Sequence, residues 1–534
     1  MVKKFLSGNI FCISLVLLMS GLFLVAGFVE AAEKPAPKAT AATATKAVTK
    51  AAPKVQPQYG GILKVVETVG PKTPFGWPPE TVGEGSVAGK PAIEALLRQY
   101  YDGHFEPWLA TAWKIAPDKS SITFSLRKGV KFHDGTDFNA EAVKFNLEAK
   151  KAAKMSGSED WASIEIVDDY TIRVNLSHYV NTALARFCAI SGAMVSPTAF
   201  RKNGIDWARW NPVGTGPFEF VSFERDVNAK YKKFNGYWQK GKPYLDGVEY
   251  VYIKDPMTQS ATMEAKEAHV LNIEGGKQAA DLKAMGLDVF TPATGTVTLI
   301  PDSMNADSPL SNKKVRQAVE YAIDKEAIAK VKSYGFWKAS YQYPPPGAMG
   351  YIKNFQGRTY NPAKAKQLLA EAGYAKGFRI SVTPHFAVDR DVLVSIQGYL
   401  SKVGITADLD FVDQGKFTDY RRKGWKNGFL AMPLGLYPNY LQSIQIYLLP
   451  TSLDFPSLKK PANIATMVND GLSTINAEPQ RVQKILKVYY DDATVIPIHD
   501  TVRASIKQKN AHDTGHLIFG VWPEWAPDQA WMNK

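Results

Sequence analysis

The hydrophobic pattern of residues 105–148 predicts a strand that is followed by a helix. Ile122, Phe124 and Leu126 alternate with polar residues, which is the period of a half-buried strand. Turn glycines come next, and Asn139 can then cap a helix whose apolar residues share one face. The part of this segment that precedes the strand is predicted to form a short helix and a turn. No catalytic chemistry is visible in these elements.

Periodicity farther along the chain predicts a mixed α/β architecture. Residues 310–331 have the apolar spacing of a helix. Residues 361–373 carry the start and stop signals of another helix, with Asn361 as the N-cap. The sequence next predicts a βαβ unit, which consists of a strand over residues 379–382, a helix and a strand from Ile405.

The amino terminus has the pattern of a secretory signal. Lys3 and Lys4 precede an apolar run over residues 10–28, and small side chains that suit cleavage follow it. Residues 1–31 are therefore predicted to be a signal peptide, with an uncleaved membrane anchor as the alternative because the run is long. Cys12 lies at the start of the run and not after it, so no lipid is predicted there.

Residues 32–58 are predicted to be an extended, cationic linker. They consist mainly of Ala, Lys, Pro and Thr, without apolar periodicity, and five lysines stand against the single acid Glu33. The folded body begins near Tyr59. Its length, over residues 59–534, exceeds one hydrophobic core and predicts two or three domains.

Charge and cysteine content exclude some classes of protein. The formal net charge is +13, but the basic residues of the body are scattered among acidic ones, so no nucleic-acid groove is predicted. The sequence has two cysteines. Removal of Cys12 with the signal leaves Cys188 without a disulfide partner, and its apolar neighbours predict a buried thiol.

Motif searches give no catalytic or metal-binding set. The eight histidines include no H-E-x-x-H motif, and turn residues between His512 and His516 favour a surface loop over a zinc site. Gly214 and Gly216 are not followed by the Gly-Lys-Ser/Thr of a phosphate loop, and no G-x-S-x-G elbow occurs. No catalytic residue, metal or cofactor is therefore predicted.

Aromatic residues are the remaining positive signal, with 12 Trp, 24 Tyr and 26 Phe. Trp77, Trp425 and Tyr437 each stand beside Gly or Pro in a loop-like context. Aromatic walls with a few polar anchors are typical of small-molecule clefts. Each of the three is a candidate ligand contact, with packing in the core or at the surface as the alternative.

The order of motifs resembles the signature of the family 5 extracellular solute-binding proteins, the peptide- and nickel-type binding proteins of ABC importers. Further matches occur in the helix that begins near Val315 and in the stretch after Tyr360. The matching motifs are Pro107-Trp108-Leu109-Ala110, Gly129-Val130-Lys131-Phe132-His133-Asp134-Gly135, Asn211-Pro212-Val213-Gly214-Thr215-Gly216-Pro217-Phe218 and Asn235-Gly236-Tyr237-Trp238.

This resemblance implies an α/β protein with the two-lobed periplasmic-binding-protein fold, a hinge and an additional subdomain in the first lobe. Lobe I would comprise residues 59–299 and 499–534, with the subdomain at about 86–194. Lobe II would comprise residues 300–498.

The function implied is that of a secreted, periplasmic and monomeric receptor without enzymatic activity. It would capture a small molecule or oligopeptide between its lobes and deliver it to an ABC permease. A chemosensory or chaperone-like module of the same fold is the alternative, and a secreted hydrolase is a third hypothesis that lacks a nucleophile–base set in the sequence.

One departure from the family concerns the ligand. Peptide-binding members commonly hold the α-ammonium of the peptide with an aspartate in lobe II, but the corresponding residues 428–450 contain no acid. An anionic, neutral or chelated ligand is therefore at least as well supported. Arg390 is predicted to hold a carboxylate or phosphate. Asn305, after a predicted inter-lobe strand over residues 298–304, is predicted to be a polar anchor.

Overall fold

The computed structural model describes residues 56–100, 103–155, 157–514, 516–519, 522–525 and 527–533. The predicted signal peptide and almost all of the predicted linker lie outside these ranges. Within them, no helix is both long enough and apolar enough to cross a membrane.

Strands and helices are mixed along the described chain, with runs of consecutive strands near both ends. The strands are β1 Ile62–Glu67, β2 Glu94–Ala95, β3 Leu97–Gln99, β4 Phe105–Pro107, β5 Ala110–Ile115, β6 Ser121–Leu126, β7 Trp161–Asp168, β8 Thr171–Leu176, β9 Ala193–Met194, β10 Phe218–Glu224, β11 Asn228–Lys233, β12 Gly247–Tyr252, β13 Val270–Glu274, β14 Asp288–Phe290, β15 Ala293–Pro301, β16 Phe378–Pro384, β17 Ile405–Leu409, β18 Gly428–Gly435, β19 Ile496–Lys507, β20 Ala511–His512, β21 His516–Phe519, β22 Trp522–Trp525 and β23 Trp531–Met532. The α-helices are α1 Glu84–Gly89, α2 Ala140–Ala152, α3 Pro197–Ala208, α4 Pro256–Glu264, α5 Lys277–Ala284, α6 Lys313–Ala322, α7 Lys325–Lys332, α8 Pro362–Glu371, α9 Arg390–Ser401, α10 Gln414–Lys423, α11 Tyr440–Tyr447, α12 Ile464–Leu472 and α13 Pro479–Asp492.

One large sheet connects the two halves of the described body. Its strand order is β10-β11-β12-β1-β13-β19-β15-β18-β16-β17, and β14 pairs with β19. We call the half built on β1, β12 and β13 lobe I and the half built on β15 to β18 lobe II. The long strand β19 pairs with β15 of lobe II and with β13 of lobe I, so it passes from one lobe to the other. Separate hydrophobic clusters form the cores of the two halves.

A smaller four-stranded sheet, β5-β6-β8-β7, forms the subdomain together with α2. Ile122, Phe124 and Leu126 are all buried in its core, as their alternation predicts. Asn139 caps α2 by accepting a hydrogen bond from the backbone of Ala142. These local predictions are confirmed because period and capping chemistry act within a few residues.

The prediction of a short helix near residue 105 is wrong, because strands β4 and β5 occupy this segment. β5 pairs in antiparallel fashion with β6. Trp113 and Ile115 lie on one face of the strand and pack against the subdomain core. Six residues form only a marginal helix, whereas pairing with β6 satisfies the backbone and buries the aromatic face.

The predicted helix over residues 310–331 is divided into α6 and α7. Ile323 has extended backbone angles, and the Asp324 side chain caps α7 by accepting from the backbone of Ala327. The predictions for residues 361–373 and for the βαβ unit are confirmed. Asn361 caps α8, and the parallel strands β16 and β17 are connected by α9.

Cys188 is buried, with 1% of its surface exposed, as its apolar neighbours predict. We expect the thiol of the native protein to react slowly with a thiol reagent and to react fully after unfolding. Replacement by alanine is expected to cost about 1 kcal/mol of unfolding free energy, because a small buried volume is lost. Ligand affinity should not change. Reagent titration and denaturant unfolding check both points, and a folded variant that loses binding would contradict them.

Candidate functional site

The carboxyl ends of the parallel strands in both lobes point toward the crossing strands. In lobe I, β13 ends at Glu274, which pairs with Arg503 of β19. In lobe II, β18 ends at Gly435, which pairs with the start of β15 at Gly295. Ligands of open α/β sheets bind outside the carboxyl ends of strands, so the space between these two edges is the candidate site.

A cavity of about 280 Å³ lies at this position, and we call it the cleft. Most of its wall comes from lobe I, and Phe386, two residues after the end of β16, comes from lobe II. The residues that carry its chemistry are Glu67, Glu84, Tyr252, Glu274, Phe386 and Arg503.

Glu67, the last residue of β1, is the most buried charged group of the cleft, with 7% of its surface exposed. Its Oε1 accepts a hydrogen bond of 2.7 Å from Nδ2 of Asn272, and its Oε2 lies 3.3 Å from Nη2 of Arg503. Burial raises the pKa of Glu67, against the opposing effects of Arg503 and Asn272. The carboxylate is therefore held in place, but its charge is poorly solvated.

Glu274 stands at the end of β13 beside the same guanidinium. Desolvation by the surrounding walls raises its pKa, and Arg503 opposes this shift. The side chain is nevertheless exposed, since it faces the open space of the cleft. A ligand in the cleft could reach this carboxylate directly.

The remaining wall is mostly apolar and aromatic. Val69, Tyr250 and Ile273 lie on the lobe I side. Phe386 has 81% of its surface exposed, although it is a large apolar side chain. The hydroxyl of Tyr252 is buried and has no hydrogen-bond partner. An apolar wall with a few polar groups matches the general composition of small-molecule sites.

Two of the predicted site residues, Asn305 and Trp425, line a different cavity of about 520 Å³ in lobe II. Asn305 donates from Nδ2 to the backbone oxygen of Trp425 at 3.1 Å and to Oδ2 of Asp302 at 3.1 Å. The indole of Trp425 donates to the backbone oxygen of Gly428. The predicted inter-lobe strand over residues 298–304 ends earlier, at Pro301, so Asn305 lies in the loop that follows β15.

The other three predicted residues lie apart from one another. Trp77 is buried in the core of lobe I, where its ring stacks on Phe200 with 4.3 Å between centroids. Arg390 begins α9, and its guanidinium lies over the ring of Phe411. Tyr437 is half-buried after β18. None of the five predicted residues is in the wall of the cleft, and their part in binding stays a prediction.

Sequence reasoning did not select Glu67, Glu274, Phe386 or Arg503. Position at the end of a strand could have identified three of them. Glu67 and Glu274 are the last residues of β1 and β13, and Phe386 lies two residues after the end of β16. Arg503 lies within the long strand β19, and only the pairing of β19 with β13 brings it to the cleft.

The buried carboxylate of Glu94 gives a structural explanation for three of the motifs that resemble the family signature. Its two oxygens accept hydrogen bonds from the indoles of Trp108 and Trp238, at 2.8 and 2.9 Å. The hydroxyls of Tyr237 and Thr215 also donate to it, at 2.7 and 2.9 Å. Three motifs that are distant in the sequence therefore meet at one carboxylate.

Candidate metal ligands do not come together in the described residues, where no group of three or more His, Cys, Asp or Glu could hold an ion. The ring of His512 stacks on Trp531, with 4.1 Å between centroids. His133 of the signature contacts the backbone oxygen of Gly216 at 2.9 Å, in accordance with a structural role.

Known sequences resemble this chain over most of its length. The model for bacterial extracellular solute-binding proteins, family 5 Middle, matches residues 104–451. The glutathione-binding protein GsiB of Salmonella choleraesuis (strain SC-B67) is 32% identical over 356 residues, which are 64% of this chain and 69% of GsiB. GsiB of Escherichia coli O1:K1 / APEC has the same identity and coverage.

Solved structures share the fold. The periplasmic binding protein DppA from Helicobacter pylori, in complex with the peptide STSA, matches with a TM-score of 0.73 and 22% identity over 89% of this chain and 99% of DppA. NikA from Brucella suis, in complex with Fe(III)-EDTA, matches with a TM-score of 0.76 and 21% identity over 89% and 100% of the two chains. The two-lobed fold predicted from the sequence is thus confirmed, and the chain belongs to the family 5 bacterial extracellular solute-binding proteins, which are receptors and not enzymes.

Proposed function

We propose that this protein, as the substrate-binding component of an ABC importer, captures a peptide-like solute in the cleft and delivers it to a membrane permease. The observation that carries the proposal is the cavity of about 280 Å³ at the carboxyl ends of strands from both lobes. The GsiB relatives are named for glutathione, and DppA holds a four-residue peptide, so peptide-like molecules are the first class to test.

Lobe closure is the mechanism that the architecture supports. The lobes are joined through crossing strands, and the cleft has walls from both sides. A ligand that contacts both walls binds the closed state more tightly than the open state, and only this difference in affinity can shift the population toward closure. The closed form would then be the one that the permease recognises.

The test is identification of the bound solute. Protein purified under native conditions is denatured, and the released small molecules are identified by mass spectrometry. We expect a peptide-like molecule in near-stoichiometric amount, and its addition to emptied protein should give a saturable calorimetric signal. Absence of any released or rebinding solute, including glutathione and short peptides, would contradict the proposal.

Phe386 provides a direct test of the cleft. Replacement by alanine should weaken binding of the released solute by about 1–3 kcal/mol, because an aromatic wall is lost at an anchoring position. Stability should hardly change, since the side chain is 81% exposed. Titration calorimetry measures the effect. Phe290→Ala is the control, because Phe290 is also exposed but is not in the cleft wall. Equal affinities for both variants would show that the ligand binds elsewhere.

We propose that the signal peptide directs export of the protein. The lobe and subdomain boundaries that the sequence predicts are also part of the proposal, and so is the monomeric state. N-terminal sequencing of the exported protein should give a mature terminus near Ala32. A terminus before Phe28 would indicate an uncleaved anchor instead.

A further inference from the structure

The subdomain touches lobe II at the C-terminal end of α12. This helix packs on α11, and α11 packs on β18, so α12 belongs to lobe II. The subdomain is anchored on the other side, because Phe145 and Ala149 of α2 pack against the core of lobe I. The loop that follows β8, residues 177–182, therefore reaches from lobe I to lobe II.

Asn181 in this loop uses its full hydrogen-bonding capacity on lobe II. Its backbone nitrogen donates to the backbone oxygen of Leu472 at 2.7 Å. Its Nδ2 donates to the backbone oxygen of Gly471 at 2.7 Å and to Oγ1 of Thr474 at 3.1 Å. Its Oδ1 accepts at 2.9 Å from Nδ2 of Asn439, the N-cap residue of α11. One asparagine thus bonds to the ends of two lobe II helices.

Two further donors of the subdomain reach the same helix end. Nζ of Lys119, in the turn between β5 and β6, donates to the backbone oxygen of Ser473 at 2.6 Å. The hydroxyl of Tyr179 donates to the backbone oxygen of Ile475 at 2.9 Å. The last carbonyls of a helix have no donor within the helix, and a cation is favourable beside them. The subdomain therefore caps α12 from outside the lobe to which the helix belongs.

A cap of this kind can form and break as the lobes move. Most of its acceptors are carbonyl groups at a helix end, which water satisfies when the surfaces separate. The covalent connection between the lobes runs through the crossing strands, so the cap is not needed to hold the chain together. Contacts that exist in only one of two states shift the population toward that state.

We propose that Lys119, Tyr179 and Asn181 form a latch, which closes on the end of α12 and stabilises the closed form of the receptor. The inference rests on the proposed function and adds to it a conformational device that acts without touching the solute. The latch would prolong retention of the solute, because the lobes separate before the solute leaves.

Cross-linking across the latch tests the inference without a solute. Cysteines are introduced as Ser120→Cys, next to Lys119, and as Asp470→Cys, next to Gly471, and both positions are exposed. Cys188 is 1% exposed and should not react in the folded protein. The rate at which a short bis-maleimide joins the two new cysteines then measures how often the subdomain and α12 lie close together.

Asn181→Asp in this background should slow cross-linking at least about 10-fold, because two donors are lost and a negative charge faces carbonyl oxygens. Tyr179→Phe keeps the ring and removes one hydroxyl, so it should fold and slow cross-linking about 3-fold. Asn203→Ala is the control, since the Asn203 amide also donates to a helix carbonyl, that of Ala199, but within α3. Its rate should equal that of the parent.

Permanent association of the subdomain with lobe II is the contrary outcome, because both contribute to one continuous hydrophobic cluster. Equal cross-linking rates in the parent, Asn181→Asp and Tyr179→Phe would reveal such a single body and overturn the inference.

Glutathione, for which the GsiB relatives are named, is the probe for release. In a parent protein that binds it, stopped-flow dissociation should be at least about 10-fold faster after Asn181→Asp and unchanged after Asn203→Ala. Unchanged dissociation after Asn181→Asp overturns the effect of the latch on retention. When glutathione does not bind the parent, the cross-linking rates alone decide about the latch. Absence of any released or rebinding solute counts against the proposed function and not against the latch.

Discussion

Replacement of Glu94 by alanine is expected to lower the free energy of unfolding by at least about 4 kcal/mol, because three buried donors and one half-buried donor lose their acceptor and each orphaned buried group costs about 1–3 kcal/mol. The donors belong to Trp108, Thr215, Tyr237 and Trp238, all within 2.9 Å of the carboxylate. Denaturant unfolding followed by tryptophan fluorescence measures the effect.

Glu94→Gln is the control, because it keeps one acceptor and nearly the same volume. We expect an intermediate loss, since the amide nitrogen would face donors and not acceptors. A loss below about 1 kcal/mol for the alanine variant would show that the donors find other partners, such as water, at little cost.

The contacts of Glu94 give these sequence motifs a structural role that the sequence alone does not show. The partners of Glu94 are 14, 121, 143 and 144 residues away along the chain. A pattern of residue types at such distances carries no geometric information until the fold brings them together. Resemblance to the family identified the motifs, and the structure supplies their physical reason.

Local features of the fold were predictable, and features that depend on distant pairing were not. The caps at Asn139 and Asn361 act within three residues and appear as predicted. The sequence predicts a short helix around Phe105, but this segment forms strands because β5 has its partner in β6. Hydrophobic period alone does not show which short segments will find a neighbouring strand.

The candidate site was less predictable, because aromatic residues beside Gly and Pro have more than one explanation. Trp77 follows Gly76, where an added Cβ would lie 2.3 Å from the backbone oxygen of Ala208. The glycine therefore permits close backbone packing in the core of lobe I, and the loop-like context of Trp77 reflects this contact. The cleft groups Glu67 and Glu274 have no such local signal, since their position at strand ends becomes informative only with the sheet order.

Asp528 is the second position at which a large effect is expected. Its carboxylate is fully buried and lies 2.6 Å from Nη2 of Arg98 and 3.0 Å from Nζ of Lys242. The guanidinium of Arg98 also lies over the ring of Trp108, at 3.1 Å from its centroid. Asp528 thus ties the C-terminal segment to lobe I beside the Glu94 network.

Asp528→Ala is expected to lower the free energy of unfolding by about 3–5 kcal/mol at neutral pH, because the Arg98 charge is left buried without its partner. Burial alone would raise the pKa of Asp528, but the charges of Arg98 and Lys242 lower it. The stabilisation is therefore complete above the ordinary aspartate pKa of 3.8 and is lost as the pH falls through the lower pKa of the folded state. Unfolding measured from pH 7 downward should show that the difference in unfolding free energy between variant and parent shrinks only in strong acid.

Asp408→Ala is the control. In its pair with Arg379 the aspartate is 53% exposed and the arginine is 70% exposed, so the pair should contribute less than about 1 kcal/mol. Equal losses in the two variants would show that burial of the Asp528 pair has no special effect on stability.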